Sequence, residues 1–378
     1  MSTATPEPGK LRTEELTINM GPQHPSTHGV LRVELITDGE IIKAAYPHLG
    51  YLHRCFEKHA ETRDYVQIVP FVDRMDYLAS MNMELGYVMA VEKLLAAEIP
   101  ERAQAIRVIV CELNRIASHL LAVGTYAIDL GAFTPFLYAF RDREKILHIF
   151  EKICGARLLY NYIRPGGVAR DVNKDTLAEI VEFCKYFKPL LHELDALLSF
   201  NSIFVNRTAG IAVIKTDMAV SYGLSGPNLR GSGYDWDLRK NAPYCGYEKY
   251  DFDVCVATAE KGELGDCWNR YHVRVREMFE SLKIIEQAAT QIPEGPISGG
   301  VGKTIKAEGE VFLTTECPRG ELGYHLVADG TKKPHRLKVK SPCLNAISVL
   351  DELSAGMMLA DIVALIGSID IVLGEVDR

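Results

Sequence analysis

The sequence predicts an α+β fold, mainly a helical bundle with a small N-terminal β lobe and a second small β meander. Three observations carry this. Residues 13–46 alternate in strand fashion, the chain after Arg63 shifts to long helical periods, and residues 311–340 return to alternation. At 378 residues, 47% of them hydrophobic and 24% charged, the chain can bury a core of more than one layer or lobe. The expected division is an N-terminal β lobe over 1–60 and a helical domain over 61–378.

Three strands read in turn as "TEELTIN", "GVLRVELI" and "EIIKAAY", the last two joined across Asp38-Gly39, a tight-turn pair. Between the first two stands "GPQHPSTHGVLR" (21–32). Pro22, Pro25 and two glycines deny it a helical ladder, so His24 and His28 ride on a loop. A first long helix follows Leu78, Met81, Leu85, Val88 and Val91 or Glu92 and closes before Pro100, with Asp73, Arg74, Asp76 and Tyr77 at its start. A second runs from Glu101 to Asp129, burying Ile106, Val110, Leu113, Ala117, Leu120 and Val123, and the two should pack antiparallel. Further helices fit 141–162, 174–200 with a kink at Pro189, 266–291 and 345–367. Residues 221–247 are too glycine-rich for a packed element and long enough to be a functional loop.

Charge and cysteine usage exclude several classes. A formal charge of -8 with no phosphate-neutralising track argues against nucleic acid as a main partner. The basic run "KKPHRLKVK" (332–340) reads instead as a solvated strand edge or a protein contact. Nine cysteines without a CxxC pair indicate a reducing compartment and no cluster or zinc site held by this chain. The start "MSTATPEPGK" lacks an apolar signal core. Ile116 to Phe140 is strongly apolar, yet Gly131 and Pro135 interrupt it and Asp129 falls near its middle, so no transmembrane span is expected. A metallohydrolase would need its histidine pair on a helix with a glutamate between them, and "HPSTH" supplies neither.

Some residues invite a chemical reading beside a plain one. Asp129 ends a mostly apolar helix, where the macrodipole disfavours an anion by roughly 0.3–1 kcal/mol. With Asn114, Ser118 and Thr125 it forms a polar seam on one helix face. That seam is either hydroxyls bonding backward to carbonyls or the approach to a carboxylate awaiting a histidine. Tyr77 is either a packed ring or a proton donor. "GYLHRCFEKHAETRD" (50–64) sets His53, Arg54, His59 and Arg63 on what reads plainly as a charged helix surface.

"GPQHPSTHGVLR", "GYLHRCFEKHAE", "DRMDYLASM", "DLGAFTPF", "RPGGV", "GSGYDWDLR" and "GSIDIVLGEVDR" together resemble the 49-kDa, or D-type, subunit family of respiratory complex I, in the family's order and over the whole chain. The resemblance implies the fold of the nickel-iron hydrogenase large subunit, with the nickel site turned into a pocket for a quinone headgroup, the substrate. A neighbouring iron–sulfur subunit would complete that pocket and hold the terminal 4Fe-4S cluster. The residues agree with loss of the metal: those hydrogenases need two CxxC pairs, and here stand a lone Cys55, where the family favours a small residue, and a cysteine-free "GEVDR". Matched motif by motif, His28 and Tyr77 would hydrogen-bond the quinone carbonyls, Asp129 would pair His28, His24 would support the loop, and Arg54 and Arg74 would lie near the partner's cluster. The implied activity is two-electron, two-proton quinone reduction coupled to proton translocation, by a subunit not active alone. Other peripheral-arm subunits and a quinone-channel subunit of the membrane arm would be partners. The place would be the cytoplasmic face of a bacterial inner membrane, or the matrix face in mitochondria. A scaffold that only docks the iron–sulfur subunit is the rival from another class, and a ferredoxin-fed photosynthetic complex would change the donor while keeping the site.

Overall fold

Alternation in the first segment becomes a three-stranded antiparallel sheet of β1 (Glu15–Met20), β2 (Arg32–Asp38) and β3 (Ile41–His48), side by side in that order. The computed structural model describes residues 15–22, 29–302 and 304–378. Period-two burial is plain in β2, where Val33, Leu35 and Thr37 point inward. Asp38 pairs with Ile41, so the turn is Gly39-Glu40, one residue beyond the expected pair, and Gly39 supplies the positive φ of 62°.

Two short helices, α1 (Phe56–Ala60) and α2 (Tyr65–Val72), precede the long ones. The eight residues of α2 include Pro70 and give too little period to announce a helix in the sequence. The first long helix, α3 (Ser80–Leu95), begins later than expected. Asp73, Arg74, Asp76 and Tyr77 form a turned connector before it, because the Asp76 carboxylate takes the Leu78 and Ala79 amides at 3.0 and 3.2 Å and holds the chain in a local turn. Helix α4 (Glu101–Asp129) has the expected bounds but is buried on nearly every side: Arg107, Glu112, Asn114, Arg115, Ser118 and His119 are as enclosed as its apolar stripe. Gly131, at φ 88°, separates it from α5 (Phe133–Cys154). That helix starts and ends eight residues earlier than expected. Pro135 is tolerated in its first turn, and Gly155 at φ 84° closes it.

A ribbon of β4 (Ile163–Arg164) and β5 (Gly167–Val168) leads to α6 (Lys174–Leu198), which continues through Pro189. Then α7 (Ser202–Thr208), α8 (Thr216–Ser221), α9 (Gly226–Arg230) and α10 (Leu238–Asn241) carry the chain to α11 (Cys267–Thr290). The meander is β6 (Glu308–Cys317), β7 (Gly320–Asp329) and β8 (Pro334–Lys340). The basic run is its β8 edge, covered by α1: Lys338 and Arg336 pair with Glu57 and Glu61, and the Val339 amide donates to Glu57 at 3.1 Å. The helix expected over 345–367 is broken into α12 (Pro342–Ser348), α13 (Leu350–Ser354), α14 (Asp361–Ile369) and a final α15 (Leu373–Asp377), with Gly356 at φ 83° in the gap.

Two apolar cores result. One lies among α2 to α6, α11 and the β6–β8 meander; the other joins β1–β3 to α8, α9 and α12 to α15. The connector bearing Tyr77 runs along their border, with Met75 in the first core and Tyr77 packed on the second. Among the described residues no helix is long and apolar enough to cross a membrane.

Candidate functional site

Tyr77 is partly buried, with its ring against Gly374 in α15. A Cβ at Gly374 would stand 2.6 Å from the Met75 carbonyl oxygen and 3.3 Å from Tyr77 Cε1, so the close approach requires glycine. No hydrogen bond joins the Tyr77 hydroxyl to another described residue. Burial, and after it the charge of Asp76, raises its pKa, so the phenol holds its proton at neutral pH.

Behind the ring lies a fully buried polar cluster. Arg319 Nη1 donates to Asp76 Oδ2 at 2.5 Å and to Ser118 Oγ at 3.1 Å, while its Nη2 stands 3.5 Å from Asp370 Oδ1. Glu375 accepts from Ser341 Oγ at 2.9 Å and from the Cys343 thiol at 3.0 Å. Burial, reinforced by the nearby Asp76 charge, pushes the Glu375 carboxyl up to about 7. A proton-exchanging group thus stands one residue from the glycine that touches Tyr77.

Asp129 closes α4 and is partly buried. Its Oδ2 lies 3.4 Å from where a Gly367 Cβ would be, and that same Cβ would overlap the Tyr126 ring. Tyr77 and Asp129 therefore abut one segment, at Gly374 and Gly367, seven residues apart. His24 and His28 lie outside the described residues. The described chain resumes at Gly29, whose Cβ position is 3.9 Å from Leu373 Cδ1 on that same segment. Of the polar seam, Thr125 does bond backward, to Leu121 and Ala122 carbonyls. Asn114 instead ties the start of α3, taking the Met81 amide at 2.9 Å and donating to the Leu78 carbonyl at 3.0 Å.

Arg54 and Arg74 come together. Arg54 Nη2 donates to the Arg74 carbonyl at 3.0 Å, and Arg74 Nη1 donates to the Pro70 carbonyl at 2.8 Å. With Arg378 and His59 they line a cavity of about 350 Å³ walled by Phe56, Phe71 and Met75. Gly374 borders both this cationic cavity and the Tyr77 ring.

The segment 221–247, expected to be a functional loop too glycine-rich for a packed element, is anchored in the interior. Arg230 pairs with Glu277 at 2.6 Å and Glu316 at 2.8 Å, and Arg239 pairs with Asp237 at 2.6 Å and Glu112 at 3.2 Å, all buried. Glu112 also takes Arg115 and the hydroxyls of Tyr247 and Ser281, and Glu277 takes His119 at 2.9 Å. Paired charges can be buried where single ones cannot, so glycine-rich chain is held here by ions instead of apolar side chains. The signal was present in "CELNR" and "DWDLR", opposite charges two or three apart in apolar surroundings. Among the described residues no group of three or more His, Cys, Asp and Glu gathers as a metal-holding set.

Comparison with known proteins places this geometry in a family. A family model described as respiratory-chain NADH dehydrogenase, 49 Kd subunit, matches residues 129–306 and 300–378. The D-type subunit of the NADH-quinone oxidoreductase of Chlorobaculum tepidum is 57% identical over 373 residues, covering 97% of this chain and 93% of that protein. The corresponding proteins of Prosthecochloris aestuarii, 57% identical over 374 residues, and Chlorobium luteolum, 56% over 373, cover 97% of this chain and 93% and 94% of their own length. With most of its length matched at more than half identity, the chain belongs to the 49-kDa subunit family of respiratory-chain NADH dehydrogenase, the D-type subunits of NADH-quinone oxidoreductase.

Proposed function

We propose that the edge where Tyr77 and Asp129 meet segment 367–374 is the quinone headgroup site, with His28 as second hydrogen-bond donor and Asp129 as its charge partner. The observation that carries this is the Tyr77 hydroxyl, protonated, partly buried and joined to no other described residue, on a ring packed against Gly374, which also borders the cationic cavity. Such a hydroxyl is free to donate to an incoming carbonyl. Quinone reduction takes two electrons and two protons. The side chains named here would supply protons; the electrons would come from a 4Fe-4S cluster held by a partner iron–sulfur subunit, and the guanidiniums of Arg54 and Arg74, if near it, would favour its reduced, more negative state. Asp129 stabilises His28 as imidazolium before it gives up its proton.

Quinone reaches the site from the membrane-arm channel subunit, and the chain sits peripherally at the cytoplasmic face of a bacterial inner membrane, or at the matrix face in mitochondria. The charge change left on Tyr77, His28 and Asp129 starts proton translocation. A structure of the assembled complex with a short-chain quinone tests the reading: the headgroup carbonyls should lie within hydrogen-bond distance of Tyr77 and His28. A headgroup seated elsewhere, with both side chains unengaged, would leave the scaffold function in its place.

A further inference from the structure

Away from the headgroup edge, two carboxyls with no exposed surface lie within hydrogen-bonding reach of each other: Asp73 in the connector and Glu84 on α3. One oxygen of each is committed. Asp73 Oδ2 takes the Asn161 amide at 3.0 Å and Arg74 Nη1 at 3.3 Å; Glu84 Oε2 takes the Tyr162 and Ile163 amides at 2.9 and 2.6 Å. The remaining oxygens, Asp73 Oδ1 and Glu84 Oε1, are buried and receive no donor from any described residue. Two ionised carboxylates cannot remain so placed without water, whereas a single hydrogen between them satisfies both.

We propose that Asp73 and Glu84 are a proton-binding site, one proton shared between them, whose occupancy clamps residues 161–163 onto the connector and α3 and sets the charge behind Arg74. The site is separate from the quinone reading and stands without it. The groups facing the pair are Arg74 of the connector, Tyr160 of the clamped segment, Cys154 at the end of α5, Cys111 on α4 and Tyr324 on β7. Arg74 is the one cation in that set, and it offsets one negative charge, not two. Burial raises both carboxyls, Glu84 the more strongly; the Asp73 charge and hydrogen bond raise Glu84 further, while the hydrogen bond with Glu84 partly offsets the rise of Asp73, so the shared proton resides on the Glu84 side. Losing the proton would place two negative charges behind the wall that Arg74 contributes to the cationic cavity.

The three clamped amides report directly on the pair. Opening the clamp exposes carboxyls of ordinary pKa and so releases the proton. The opening constant should therefore rise about tenfold per pH unit from the ordinary carboxyl range up to the pair's own pKa, and level off above it. Hydrogen–deuterium exchange of the assembled complex, read by mass spectrometry on peptides spanning 159–164 between pH 5 and 9 with intrinsic exchange divided out, measures this slope. In Glu84→Gln the side-chain amide holds the hydrogen permanently while its oxygen still accepts from Tyr162 and Ile163, so the slope should vanish. Where Glu84→Gln does not assemble, Asp73→Asn puts the fixed donor on the other side and should flatten it equally. A flat wild type, or equal slopes in wild type and either variant, would overturn the proposal. A displaced quinone site would leave these slopes unchanged.

Discussion

The ion cluster around Arg230 and the edge around Tyr77 are both built from polar side chains at the heart of the molecule, and they differ in how completely those side chains are used. In the cluster each carboxylate of Glu112, Glu277 and Asp237 meets at least one guanidinium at 2.6–3.2 Å, and the pairing and hydrogen bonds hold Glu277 well below, and Glu112 and Asp237 below, the ordinary carboxylate range against the opposing cost of burial. At the edge, the Tyr77 hydroxyl is joined to no described residue and Glu375 is held by a hydroxyl and a thiol, neither of them charged. Saturated groups hold the fold; groups with unspent hydrogen-bonding capacity can exchange protons.

The sharpest way to break this contrast is Tyr77→Phe, which keeps the ring against Gly374 and removes one donor. Quinone reduction should fall about 10²–10⁴-fold with assembly intact, the usual worth of a positioned proton donor; near-normal turnover with a short-chain quinone would move the hydroxyl into the structural class. Arg230→Met does the opposite. It leaves Glu277 and Glu316 buried without their shared guanidinium, so urea unfolding of the full chain should show a loss of about 3–5 kcal/mol, and complexes that still assemble should keep their turnover.

Glu375→Gln probes the proton-exchanging side. A carboxyl raised to about 7 in the folded chain contributes stability that is present in full below its unfolded value near ~4.3 and is lost as pH rises through the folded value. Wild type should thus lose on the order of 3 kcal/mol between pH 4 and 7 from this group, and the variant should lack that slope in pH-resolved unfolding curves. Identical slopes would assign the pH dependence elsewhere. The smallest effect expected is the coupling between His28 and Asp129, about 0.5–3 kcal/mol in a double-mutant cycle of His28→Gln and Asp129→Asn on quinone-reduction rates. Strict additivity would separate the two residues.

Long periodic segments were legible in the sequence: α4, α6 and α11 fall within two residues of expectation, because uninterrupted stripes and clear caps such as Asn173 and Asp266 define them. Shifts came where side chains or glycines overrode the period. Asp76 bonds the chain into a turn and delays α3, and Gly155 ends α5 eight residues before the end of the stretch that looked helical. Residues 221–247 misled for another reason, since a segment anchored by buried Arg230, Asp237 and Arg239 carries no hydrophobic pattern to read. The family resemblance pointed to Tyr77, Asp129, Arg54 and Arg74 as candidates, but no periodicity could reveal that Gly367 and Gly374 bring Asp129 and Tyr77 to one segment. The Asp73–Glu84 pair and Glu375 were equally invisible, because their character depends on neighbours distant in sequence.

That dependence on distant neighbours also has a cost in time. The Gly50 amide finds its acceptor on Asp377, 327 residues later, and Arg319 reaches Asp76 across 243. At about 5–20 residues per second of synthesis, the early strands and the Tyr77 connector wait on the order of tens of seconds before their final partners exist. Through that interval β1–β3 cannot complete their core, and the connector has no Gly374 to close on. The nascent chain is therefore most vulnerable to aggregation before Gly367 and Gly374 emerge, and a ribosome that stalls short of them would leave Asp129 and Tyr77 without the segment they abut.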